Sequence, residues 1–119
     1  MAVEAVRRIL TDLTRIEGVR GAILVSRDGY VLEAVVPRRD INAEDIAASV
    51  SGLVNSAARL GRDFGLGDQD IMTIEYGNGM IVIGSLGENF VMVVADKSAL
   101  VGMIRNEIKK HRERLKAAI

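Results

Sequence analysis

The 119-residue chain has no cysteine, which excludes disulfides, thiolate zinc sites, iron-sulfur clusters and cysteine nucleophiles. Tryptophan is also absent, and two tyrosines and two phenylalanines make up the aromatic complement. That is too few rings for a base-stacking platform or an aromatic cofactor pocket. Sixteen Lys and Arg balance sixteen Asp and Glu, so the overall charge gives no ground for nucleic acid as a partner. No apolar run is long enough to span a bilayer, and Glu4, Arg7, Arg8 and Asp12 leave no signal-peptide pattern at the start. A soluble cytoplasmic protein without direct membrane insertion is therefore expected.

Chemistry is equally sparse. The single histidine, His111, stands on the margin of a helical apolar stripe, with no Ser or Cys and carboxylate arrangement in evident reach. Gly65-Leu66-Gly67-Asp68 follows a helix instead of a strand and lacks a Gly-Lys-Ser/Thr, so it reads as a loop and not a phosphate cradle. Asp68 and Asp70 lack the further oxygen ligands and closing Glu of a calcium loop. Glu44, Asp45 and Glu17 sit at helix ends, where they serve the dipole. No catalytic residue, metal site or cofactor is expected, and the chain reads as a binding module and not an enzyme.

What is present is a stretch, Asn42 to Phe64, that carries no charge between Asp45 and Arg59. On a helix, Ile46, Val50, Leu53, Ala57, Leu60 and Phe64 form an apolar stripe expected to face a sheet. Ala47, Val54, Ala58 and Gly61 flank it, and Ser51, Asn55, Ala48 and Gly52 lie behind. Small side chains there let another backbone approach, so this second side is expected to meet a partner. Asn42 is a good N-cap and Gly65 a stop.

The flanking segments follow in order. Val3, Val6, Ile9, Leu10, Leu13 and Ile16 predict an amphipathic helix over 2–17, ended by Gly18. Gly21 to Ser26 and Tyr30 to Val36 predict strands joined at Asp28-Gly29, the second an edge because Pro37 ends it. Ile71 to Tyr76, Met80 to Leu86 and Phe90 to Ala95 predict a meander, the first alternating as an exposed edge would and the last central beside the first strand. Asp96 or Ser98 is expected to cap a last helix with Leu100, Ile104, Ile108 and Leu115 on one side. Residues 97–119 hold seven Lys or Arg against two Glu, which reads as a solvated face with cations suited to the helix C-terminus, the alternative being a basic docking surface. The expected fold is α+β, order αββαβββα. A five-stranded antiparallel sheet lies between helices, the central helix on one face and the terminal helices on the other.

This order of elements, with GVRGAILVSRDGYVLEA, the small-residue helix from Asn42 and the segment FVMVVADKSALVGMIRNEI with Gly102 early in its helix, resembles the roadblock family of dynein light chains. The likeness covers nearly the whole chain, read as one domain over 1–119. Within that family the chain resembles stand-alone bacterial and archaeal members of the kind of the MglB gliding-motility regulator. The resemblance implies a homodimer whose central helices pack side by side and whose third strands pair into one continuous sheet. It implies no enzymatic activity, and a small Ras-like GTPase as the partner that the dimer scaffolds or regulates. The dimer contact would then comprise Ala47, Ser51, Val54, Asn55, Ala58 and Arg62 with Ile71, Thr73 and Glu75, and the partner surface Ala48, Gly52 and Arg59. Arg59 and Arg62 read as solvated or interfacial charges and not as an arginine finger. The rival readings are a small-molecule sensor of the PAS or GAF kind, and a structural adaptor in a larger complex.

Overall fold

The structure, a computed structural model, describes residues 1–119. Its elements run α1 (Val3–Thr14), β1 (Val19–Ser26), β2 (Val31–Val35), α2 (Ala43–Asp63), β3 (Ile71–Tyr76), β4 (Gly79–Ser85), β5 (Asn89–Asp96) and α3 (Val101–Ala118). All strand pairs are antiparallel, in the order β2-β1-β5-β4-β3. β1 and β5 are thus central, as their unbroken apolar runs require, and β2 and β3 are edges.

Strand alternation divides the interior in two. On one side of the sheet Leu24, Val82, Val91 and Val93 meet Val6, Leu10 and Leu13 of α1 and Ile104, Ile108 and Leu115 of α3. On the other, Ile23, Val25, Ile83, Phe90 and Met92 meet Ala47, Val50 and Val54 of α2. Each fully buried aliphatic or aromatic side chain contributes on the order of 1.5–3 kcal/mol, so both faces need their cover. Gly84 lets α3 come close to β4: a Cβ there would collide with Ile108 Cγ2. Ala2 N–H donates to the Ala118 carbonyl at 2.7 Å, tying the start of α1 to the end of α3.

The β1–β2 turn is held by Gly29 N–H to Ser26 O at 2.9 Å and by Ser26 N–H to Tyr30 O at 2.9 Å, with Gly29 at φ 91°. A positive φ costs glycine little, which is why Asp-Gly works here.

Several sequence expectations are corrected. α1 stops at Thr14, three residues before the predicted end, and the chain reverses at Gly18 with φ 87°. α3 has no side-chain cap from Asp96 or Ser98; Leu100 is its N-cap and is exposed. The largest correction concerns α2. Its buried residues are Ala43, Ala47, Val50, Val54 and Ala58, whereas Leu53, Leu60 and Phe64 are 47%, 57% and 73% exposed. The helix is rotated by about a quarter turn from the expected orientation. The reason is space: Ile23, Phe90 and Met92 already fill the sheet face, and only Ala and Val allow a helix to settle onto them without a gap.

Candidate interaction surface

α2 begins at Asn42, whose Oδ1 accepts from Asp45 N–H at 3.0 Å, and Glu44 and Asp45 complement the positive end of its dipole. It lies over β1 and β2 and is pinned by its polar side, where Asn55 Nδ2 donates to the Arg27 carbonyl at 2.9 Å. Ser51 packs over the same turn, so close that a Cβ on Gly29 would stand 2.9 Å from Ser51 Oγ. Ser51 and Asn55 thus face the β1–β2 turn, and Ala47, Val54 and Ala58 face the sheet. Of the α2 side chains read from the sequence as the contact to a second copy, Ala47, Val54 and Ala58 are therefore buried within the chain, whereas Ser51 is half-buried and Asn55 and Arg62 are exposed.

The α2 surface left open is the apolar stripe of Leu53, Leu60 and Phe64, with Ile46 and Ala57 half-buried along it. On the same face of the sheet, Met72 and Ile81 are only partly covered, and Ile74 lies opposite Ile81 in register. β3 is bonded to β4 alone, so the backbone groups along its other side have no strand partner. An apolar helix stripe and an open sheet edge therefore occur on one molecule, and both are liabilities for an isolated chain. Ile71 and Thr73 are half-buried on β3 and Glu75 is exposed. Ala48, Gly52 and Arg59 are exposed on α2, away from the sheet. Sequence reasoning missed the role of Leu53, Leu60 and Phe64. The 4-3-4-4 spacing of Ala43, Ala47, Val50, Val54 and Ala58, all small, was the signal for the sheet-facing side.

A second feature is a cleft of about 830 Å³ at the end of the sheet that carries the β1–β2 and β4–β5 turns. Arg27 closes its floor, Nε donating to Gly87 O at 2.8 Å and Nη2 to Ser85 Oγ at 3.1 Å. From the opposite face of the sheet Arg112 donates to Asp70 Oδ1 at 2.6 Å, and Lys109 stands 3.8 Å from the same carboxylate. The Arg112 hydrogen bond, helped by the charges of Arg112, Lys109 and Arg105, holds the Asp70 carboxyl below its ordinary pKa of 3.8 against the opposing effect of desolvation. Asp68 and Asp70 do not gather with a third His, Asp or Glu into a metal-ligand set. His111 is buried on α3 beside Glu107 and Arg114 of its own helix.

Residues 6–96 match the sequence model of the Roadblock/LC7 domain. The chain belongs to the Roadblock/LC7 family. It is 30% identical over 110 residues to the uncharacterized protein MJ1340 of Methanocaldococcus jannaschii, covering 92% of this chain and 96% of the relative. Among solved structures, the gliding protein MglB of Thermus thermophilus superposes with a TM-score of 0.87 at 21% identity, covering 98% of this chain and 90% of that one. The Roadblock/LC7 domain from Streptomyces avermitilis gives a TM-score of 0.82 at 23% identity, with 92% and 93% covered. These likenesses establish the Roadblock/LC7 fold. No helix of this member is long and apolar enough to cross a membrane.

Proposed function

We propose that this Roadblock/LC7 chain is a non-catalytic, homodimeric scaffold, one domain over 1–119, that binds a small Ras-like GTPase in the cytoplasm and modulates its cycle. The observation that carries the dimer is the apolar stripe of Leu53, Leu60 and Phe64 lying on the same molecule as the unpaired β3 edge. A second copy related by a twofold would cover that stripe with its own α2 and extend the sheet through Ile71, Thr73 and Glu75. Family membership and the likeness to the gliding protein MglB support the GTPase as partner. Ala48, Gly52 and Arg59, turned away from the sheet, would then contribute to the two-helix platform on which it docks. If hydrolysis is accelerated, ordering of the GTPase's own switch loops is the route consistent with a scaffold.

The sensor reading is less well supported, because the cleft at the turn end of the sheet is lined by polar side chains with Ala58 the one apolar residue, instead of forming an apolar chamber. A purely structural adaptor would share the dimer but show no preference for nucleotide state. The test combines sedimentation with capture of candidate small GTPases loaded separately with GTP and GDP. The proposal expects a dimer at micromolar concentration and capture that depends on the bound nucleotide. A monomer throughout would overturn the dimer, and nucleotide-blind capture would leave only the adaptor.

A further inference from the structure

We propose that the cleft at the turn end of the sheet is a binding site for a compact, multiply charged phosphate anion. Arg59 and Arg62 lie one helical turn apart on the same side of α2, both exposed, and neither forms an ion pair. They line the cleft together with Arg27, Arg112 and Lys116, so cations from α2, the β1–β2 turn and α3 converge from both faces of the sheet. Asp68 and Asp70 also line it, but Asp70 is already neutralised by Arg112 and Lys109. The cleft therefore keeps an excess of positive charge in a chain whose overall charge is zero. The partial negative charge at the C-terminal end of α2, about half an elementary unit, is smaller than that of the two arginines beside it.

Two features narrow the ligand. Ala58 is the one apolar residue in the lining and no aromatic ring is present, so nothing there would hold a hydrophobic ring or stack a nucleobase. Two unpaired guanidiniums instead offer planar forks that match phosphate oxygens. Within the lining, Arg112 Nε and Gln69 Oε1 are buried without hydrogen-bond partners. Both atoms are shielded from solvent, so the donors the cleft offers to an anion are those of Arg59 and Arg62. The anion would thus be recognised by its phosphates alone, and Leu53, Leu60 and Phe64 are not among the residues that line the cleft.

Calorimetric titration of the full chain with inorganic diphosphate, at low salt because such contacts are screened, tests the site. Saturable binding is expected, weakened about tenfold or more in Arg59→Ala/Arg62→Ala and unchanged in Arg8→Ala/Lys110→Ala, which removes two exposed cations elsewhere. Arg59→Lys/Arg62→Lys, which keeps the charge and loses the forks, is expected to bind with intermediate affinity. Tripolyphosphate and ATP should bind alike. No binding at about 1 mM diphosphate, or an equal loss in the Arg8 and Lys110 control, overturns the site. ATP binding more than about tenfold tighter than tripolyphosphate overturns recognition through phosphate alone. Binding only to vesicles of phosphatidylglycerol, with none to free diphosphate, overturns the small-anion assignment.

Discussion

Gly84 faces α3 without a side chain, and Ile108 occupies the space that a Cβ would need. Because Ile108 is wholly buried, it has no free volume into which to move. Gly84→Ala is therefore expected to lose about 1–3 kcal/mol in chemical denaturation, with unchanged secondary structure. Asp70 shows a different dependence, on pH. Its folded-state pKa is held below 3.8, first by the hydrogen bond from Arg112, so its contribution is present above that value and is lost as pH falls through the lower folded one. Asp70→Asn should thus be less stable than the parent near neutrality and converge with it in acid. The carboxylate is 57% exposed, and solvent screening keeps the difference below about 1 kcal/mol. Paired urea titrations at neutral pH and below pH 3.8 would check both magnitude and direction.

α2 carries two apolar stripes side by side, and only one can lie on the sheet. A charge placed on each separates their jobs. Val54→Asp puts a carboxylate at a position with no exposure and is expected to cost several kcal/mol or prevent folding. Leu60→Asp, at a position 57% exposed, should leave the thermal midpoint of the isolated fold nearly unchanged and convert the proposed dimer to monomer. Sedimentation with circular dichroism on both variants decides which stripe does which. The contrast also shows where sequence reading ended. Element order, both sheet edges and the central place of β5 were legible because alternation and turn residues are local signals. The facing of α2 was not, since hydrophobicity favours Leu53, Leu60 and Phe64, while the fit onto Phe90 and Met92 favours Ala47 and Val54. That fit depends on residues more than thirty positions away. The basic cleft was illegible for the same reason: Arg27, Arg59 and Arg112 meet only once the strands have paired.

At the scale of the whole molecule the two edges of the sheet differ in how they are covered. Along β2, Arg7 of α1 reaches over to Glu33 at 2.9 Å and to the Ala34 carbonyl at 3.3 Å, so that edge is partly guarded. β3 has no such guard, and Met72, Ile74 and Ile81 beside it are only partly buried on the face of the sheet that carries α2. Burial of the helix stripe alone would not protect the backbone of β3, and strand pairing alone would leave Leu60 and Phe64 in water. A twofold dimer of the proposed kind answers both needs at once, which makes its signature specific. Hydrogen exchange measured over a dilution series should show amides in Ile71–Tyr76 gaining protection with protein concentration, in step with residues of α2 near Leu53 and Leu60. In Leu60→Asp both regions should remain at their dilute values at every concentration. Protection of α2 without β3 would mean that the copies meet through helices only, and the continuous sheet would have to be given up.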